Sequence, residues 1–279
     1  LGTVPGVNVE LYQPFDYRGR YFTSVLVSWL RTLARVSTPE GLVGEGRLEM
    51  LQGTVDLGIS LDSWGQVRAG AFRGTGTGEP LVTNLPLEKL SIELGGLFAS
   101  IGVDTLDDLS FPRRGTNATA RVEAFLEAFG TESSFNRLML GGTHAIPVAR
   151  RSTVLLSGGW EDTMGSHPPF YLLFSLSDFT RLAALFRENT GGERAAHAGI
   201  SLHHRVASLP SRVGRGVYVG GTFEVGRVWA RREDTDFDGI RPAGGLFVGA
   251  DTVLGPIYAG FGVGYGGNTS LYVLLGRKY

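Results

Sequence analysis

The sequence predicts an all-β chain folded as an antiparallel transmembrane β-barrel of the outer-membrane kind. Three observations predict it. Apolar residues alternate with period two through many segments of about ten residues or more, longer than ordinary soluble strands. Glycine accounts for 42 of the 279 residues and sits inside those segments, as in GGLFASIG (95–102) and VYVGGTFEVG (217–226). Average usage is roughly 7%, and glycine inside a strand marks a bend, a bulge or close packing. Finally, no window reaches about 18 consecutive apolar residues, which excludes helical membrane spans.

Composition narrows the function classes. The net charge is −1, so no nucleic-acid partner is indicated. The absence of cysteine excludes disulfides and cysteine-ligated metals. Opening at Leu1 rather than Met, without a leader-like stretch, the chain reads as part of a longer precursor.

Thirteen strands are predicted, over 6–13, 21–37, 46–61, 66–77, 88–103, 115–129, 134–149, 152–161, 193–207, 215–230, 243–252, 255–265 and 269–279. In the sixth, Ala118, Ala120, Val122, Ala124, Leu126 and Ala128 share a face opposite Thr119, Arg121, Glu123 and Glu127. In the ninth, Ile200, Leu202 and Val206 oppose His197, Ser201, His203 and Arg205. The final hairpin is the clearest. Ile257, Ala259, Phe261, Val263 and Tyr265 oppose Tyr258, Gly260, Gly262 and Gly264, while Leu271, Val273, Leu275 and Tyr279 oppose Tyr272, Leu274 and Gly276. An apolar row against a small or polar row suits a strand between lipid and a watery lumen. The exposed face of a soluble sheet is the alternative that each segment alone leaves open.

The connections alternate in length. Those at 62–65, 149–152 and 251–255 read as short, and those at 36–45, 74–80 and 231–241 as longer and polar, as in an up-and-down barrel. The connection 162–192 is longest and carries apolar stretches at 170–174 and 182–186, with mild helical spacing over 178–189. Long connections are uncommon unless functional. Sequence neighbours are expected to pair antiparallel, with the last strand closing toward the N-terminal side. Tyr21, Phe22, Trp29, Trp229, Tyr265 and Tyr279 fall near strand ends, where aromatic residues favour a membrane interface.

Catalytic and ligand motifs are weak. There is no Gly-x-Ser-x-Gly. Gly262, Gly264 and Gly267 match a dinucleotide fingerprint, but a strand follows where that motif needs a helix. His203 and His204 are adjacent and point to opposite faces of a strand. Asp104, Asp107 and Asp108 read as an acidic capped turn before a cation site. No cofactor or metal is expected, and the chain itself is not read as an enzyme.

Three stretches carry a family resemblance: VDTLDDLSFPRRGT (103–116), the pair FSLSDFTRL (174–182) with TFEVGRVW (222–229), and VGADTVLGPIYAGFGVGYGGNTSLYVLLGR (248–277). Together they resemble the bacterial surface-antigen barrel superfamily, which holds outer-membrane assembly factors and two-partner secretion transporters. With ELYQPFD (10–16), the last is most similar to the C-terminal barrels of patatin-like phospholipase autotransporters, the type Vd systems. The resemblance implies a barrel of about sixteen strands, within the even-numbered range of such barrels. Residues 1–279 then form a single barrel domain lacking its first strands and the upstream patatin and POTRA domains. It implies a translocator or anchor in the bacterial outer membrane for an N-terminal lipase passenger. The implied partners are outer-membrane lipid, the barrel-assembly machinery and that passenger, and a homodimer is allowed. An assembly factor or two-partner transporter acting on separate clients is the alternative. Arg181 and Glu224 match the family's pair joining a lumen loop to the wall, although the glycine usual after the arginine core is replaced within Arg181-Leu182-Ala183-Ala184. Leu271, Val273, Leu275, Gly276 and Tyr279 match its C-terminal insertion signal.

Overall fold

The computed structural model describes residues 5–38, 41–83, 90–176 and 191–276. It contains thirteen strands: β1 (Gly6–Pro14), β2 (Tyr21–Thr38), β3 (Gly41–Leu61), β4 (Gly65–Thr83), β5 (Leu90–Asp104), β6 (Gly115–Phe125), β7 (Phe135–Ala149), β8 (Ser152–Asp162), β9 (Arg194–Ser208), β10 (Gly214–Trp229), β11 (Arg241–Thr252), β12 (Gly255–Gly264) and β13 (Thr269–Leu275). All lie in one sheet in sequence order, each antiparallel to the next. Among the described residues β1 pairs only with β2 and β13 only with β12, so the expected closure by the last strand is not made. None of the described helical segments is long and apolar enough to cross a membrane.

The register places each side chain on one of two faces, because the pleat alternates with period two. One row runs Val103–Ala118–Gly142–Gly158–Ala198–Val225 across six strands. This outer face is apolar along its middle. Val7, Val9 and Leu11 present it on β1, Leu51, Val55, Leu57 and Ile59 on β3, Leu246 and Val248 on β11, and Leu271, Val273 and Leu275 on β13. All are well exposed, Leu271 to 84%. The inner face carries Ser24, Asp56, Arg68, Arg121, Glu123, Ser201, His203, Glu224 and Asp251. Most charged groups are thus turned inward and the exposed apolar groups outward, the reverse of a water-soluble sheet; the outward charges of β2–β5 include the pairs Arg31–Glu49 and Arg73–Glu93.

Inside, small residues accept large ones from neighbouring strands. Phe22 is 1% exposed and lies on Gly58, where an added Cβ would stand 2.1 Å from the Phe22 ring. Arg68 stacks over the same ring at 5.0 Å. The Ser24 hydroxyl donates to Asp56 at 2.7 Å, and Arg68 reaches Glu10 at 2.9 Å and Asp56 at 3.6 Å. This network ties β1 to β2, β3 and β4, and it shows that Phe22 is no interface residue. Being next in sequence to outward-facing Tyr21, Phe22 must face the lumen.

Several predicted boundaries move. Most of 36–45 and all of 74–80 are strand: β2 extends to Thr38, β3 begins at Gly41 and β4 runs through 74–80, their paired backbones staying extended despite polar and glycine content. The sixth strand stops at Phe125. A 3₁₀ turn over Glu127–Phe129 follows and ends at Gly130 with φ +94°, so Leu126 and Ala128 leave the strand face. The final strand is described as far as Leu275, and Tyr279 lies outside the described residues.

Candidate functional site

The connections sort into two ends. Those at 15–20, 62–64, 105–114, 150–151, 209–213 and 253–254 share the end at which β13 finishes. The connections 126–134, 163–193 and 230–240 share the other, with 265–268. Among the described residues, one connection from each end folds back into the lumen.

The first is 163–193, described as far as 176. Its base is stitched to the wall. The Thr163 N–H donates to the Glu193 carbonyl at 3.0 Å, Arg194 Nε donates to Asp162 at 2.8 Å, and Phe174 forms a two-way bridge with Gly192. A 3₁₀ turn at Phe170–Leu172 carries Tyr171 and Leu172 across the interior. There they cover a buried cluster of Phe72, Ile92, Leu94, Phe98, Phe125 and Phe135 on β4–β7. Burial first, then the nearby Glu132 carboxylate, push the Tyr171 phenol up. Phe174 is 1% exposed beneath the Arg137 guanidinium, 4.5 Å from the ring centroid.

The predicted wall residue Glu224 faces the lumen from β10, over Gly199 of β9, where an added Cβ would lie 3.1 Å from its Cγ. Its predicted partner Arg181 lies outside the described residues. The last described stretch of the loop leads toward the same place. Leu176 packs against Gly226, two residues from Glu224 on the same strand and face, and its Cδ2 would be 2.7 Å from a Cβ there.

The second insertion is 105–114, from β5 to β6. Its stalk extends the β-ladder, with the Thr105 N–H donating to the Thr116 carbonyl at 2.8 Å. The tip is held by its own carboxylates. Asp108 Oδ1 accepts from the N–H groups of Ser110 (2.8 Å) and Phe111 (2.9 Å), and Asp107 Oδ1 accepts from that of Arg113 at 2.8 Å. Asp104 Oδ1 accepts from the Leu106 N–H at 3.2 Å. The three aspartates therefore form the capped turn expected of them.

From this finger Phe111 crosses to the opposite wall. It is 3% exposed and stacks on Tyr218 at 4.0 Å with an interplanar angle of 3°. Tyr258 (5.0 Å) and the edge of His203 (5.9 Å) complete the cage, with Phe247 in the same cluster. Gly249 forms its floor: an added Cβ would lie 2.6 Å from Phe111 Cζ. The Tyr258 hydroxyl donates to the Ser110 carbonyl at 2.9 Å, and His203 Nε2 lies 3.1 Å from the Pro112 carbonyl. Asp108 pairs with Arg215, whose Nε also meets Asp251 at 2.6 Å. Sequence reasoning quoted FPRRG only as the opening of a strand. The partners of Phe111 and Pro112 across the lumen lie more than ninety residues away in sequence, and no local pattern encodes them.

The other predicted residues are placed as follows. Leu271, Val273 and Leu275 stand on the outer face of β13, and Gly276 follows with φ +101°. His203 is buried in the lumen, while the ring of its neighbour His204 turns outward to Ser152 at 2.8 Å. Tyr21 and Tyr265 are exposed. Trp229, near the other end, is 5% exposed beside Trp160, and its indole N–H donates to the Asp236 carbonyl at 3.0 Å.

No family model and no curated protein matches this chain. Solved structures do. The crystal structure of BamA from Haemophilus ducreyi lacking POTRA domains 1–3 is similar with a TM-score of 0.70 at 14% identity, over 97% of this chain and 60% of that one. CdiB from Escherichia coli is similar with a TM-score of 0.63 at 12% identity, over 98% of this chain and 51% of that one. The chain thus spans less than two thirds of either, and what it shares with them is the fold.

Proposed function

We propose that this chain is the outer-membrane barrel of a patatin-like phospholipase autotransporter, exporting or tethering an N-terminal lipase passenger. The single observation that supports a membrane setting is the outer face. Apolar side chains cover its middle from β1 to β13, most charged residues of the same strands turn inward, and the outward charges of β2–β5 include the pairs Arg31–Glu49 and Arg73–Glu93. Burying that band in hydrocarbon is favourable at roughly 25 cal/mol per Å², and leaving it in water invites aggregation. Short periplasmic turns and longer outer loops are usual in such barrels, so the end carrying 105–114 faces the periplasm. The autotransporter reading rests on ELYQPFD and the terminal hairpin. The work of this chain is carriage, and any catalysis belongs to the passenger.

In lipid an unpaired strand edge leaves backbone groups unsatisfied, each at a cost of several kcal/mol. In this reading the β1 edge is closed by further strands of a longer precursor, in preference to a seam supplied by another chain. Expression of the whole precursor in a Gram-negative host tests the reading. The barrel should fractionate with the outer membrane and show heat-modifiable mobility, and the upstream passenger should be cut by protease added to intact cells. Deleting Tyr279 should lower the folded amount. A soluble product, or an upstream region made of POTRA repeats without a lipase, contradicts the proposal; the second outcome favours a transporter of separate clients.

A further inference from the structure

The finger 105–114 has the features of a ligand seated in a site. Its contacts with β9–β12 are those by which an extended peptide is held. A carboxylate, Asp108, lies on the Arg215 guanidinium. An aromatic ring, Phe111, fills a cage of Tyr218, Tyr258 and His203 over Gly249. Two backbone carbonyls, of Ser110 and Pro112, meet the Tyr258 hydroxyl and the His203 ring. None of these contacts is a rung of the β-ladder. The finger's shape is set within itself, by Asp107 and Asp108 on its own N–H groups, so it can leave as a unit on its stalk. The ion pair is open to water on one side: the Arg215 side chain is 64% exposed and that of Asp108 12%. Beside the cage, Arg113, Arg151, Thr153, His203, Arg205 and Tyr218 line a small polar cavity of about 20 Å³. Among the described residues Arg151 and Arg205 meet no carboxylate, so the mouth of the lumen is cationic beyond the one pair.

We propose that residues 108–113 are a self-ligand, an autoinhibitory plug seated in a peptide-binding site formed by His203, Arg215, Tyr218, Gly249 and Tyr258. When the plug leaves, the site receives an extended polypeptide segment carrying a carboxylate and, a few residues on, an aromatic side chain. The site faces the lumen, so a lipid headgroup does not reach it, and the ligand is a chain entering from that end. The inference rests on the barrel fold and not on the identity of the passenger.

The test uses the full chain folded in detergent micelles and a fluorescent hexapeptide copying 108–113, Asp-Leu-Ser-Phe-Pro-Arg. Three proteins are compared: the native chain, the double substitution Asp108→Asn with Phe111→Ala, which empties the site, and that double substitution with Gly249→Val, which refills the cage. A site occupied by its own plug nine-tenths of the time binds about tenfold more weakly than an empty one. The emptied protein should therefore bind the peptide at least about tenfold tighter than the native chain, and Gly249→Val should abolish the gain. A peptide with Asn and Ala in place of its Asp and Phe should not bind. In planar bilayers the emptied protein should conduct more than the native one. Heat-modifiable mobility checks folding in each case. Where the double substitution does not fold, Asp108→Asn alone should give the same ordering with smaller amplitude. Equal binding to native and emptied proteins, or binding indifferent to Gly249→Val, overturns the proposal. Because the assay needs neither membrane targeting nor passenger, its failure is separable from failure of the functional reading.

Discussion

Each half of the wall is covered by a connection that starts from the other half, and the two covers are built differently. Over β4–β7, Tyr171 and Leu172 lie on six buried apolar side chains, and the contact is hydrophobic. Over β9–β12, Phe111 is buried as deeply, but ion pairs and carbonyl hydrogen bonds surround it. Apolar burial is insensitive to moderate salt, whereas partly exposed ion pairs weaken with it. The first cover is therefore part of the barrel's core, and the second is a contact that salt can loosen.

The sharpest way to break this comparison is to cut one ring from each side. Phe125→Ala removes a ring that stacks on Phe135 at 4.3 Å and meets Phe72 edge-on at 5.0 Å. It should cost about 3–5 kcal/mol, read as a lowered urea midpoint of the folded band. Phe111→Ala removes an equal ring but should leave the wall folded, with a clearly smaller shift in midpoint. Equal shifts would mean that the finger is core and no plug.

A smaller effect is expected from the polar network of the wall, which sharpens the contrast between a fixed ion cluster and a releasable one. Asp56 is 4% exposed and takes the Ser24 hydroxyl and the Arg68 guanidinium. Asp56→Ala should destabilise by about 1–3 kcal/mol, and adding Arg68→Ala should cost less than the sum of the two single changes. Strict additivity in the same urea titrations would dissolve the network.

The smallest effect concerns the base of the apolar cover. Burial would raise the Glu193 carboxyl, but the hydrogen bond from His167 at 2.6 Å, the Arg232 N–H and the charges of His167 and Arg231 outweigh it and hold the group below its ordinary value of 4.5. A depressed carboxyl contributes stability that is present above its unfolded value and is lost as pH falls through the folded one. Protease cleavage within 163–176 should therefore rise only at pH below about 4.5, and Glu193→Gln should remove that dependence. Loosening that sets in near neutrality would point to another group.

The wall was legible in the sequence because each strand states its own faces. The alternation at 118–124, at 200–203 and through 255–264 and 269–275 predicted the observed faces, since period two needs only neighbouring residues. Strand ends were less legible. The glycines at 74, 76 and 78 resemble a loop, yet they let β4 lie close against Leu48, Met50 and Leu94. The two insertions were barely legible. The apolar content of 170–174 marked that loop as one needing cover, but Phe111 and Pro112 find their partners across the lumen, a contact that depends on the curvature of the whole sheet. Arg181 was chosen by resemblance alone. Its predicted pairing with Glu224 falls outside the described residues.

The central claim is that one face of this sheet meets lipid and the other water. The chain contains no cysteine, so single cysteines can be introduced without background. In this chain reconstituted into liposomes, Val219→Cys, Leu246→Cys and Val273→Cys should resist a membrane-impermeant maleimide and be quenched by a nitroxide on lipid tails when labelled with a fluorophore. Ser201→Cys and Thr222→Cys, one face over on the same and neighbouring strands, should show the opposite. Equal maleimide reactivity at both sets, with no lipid quenching at the first, would contradict a membrane barrel.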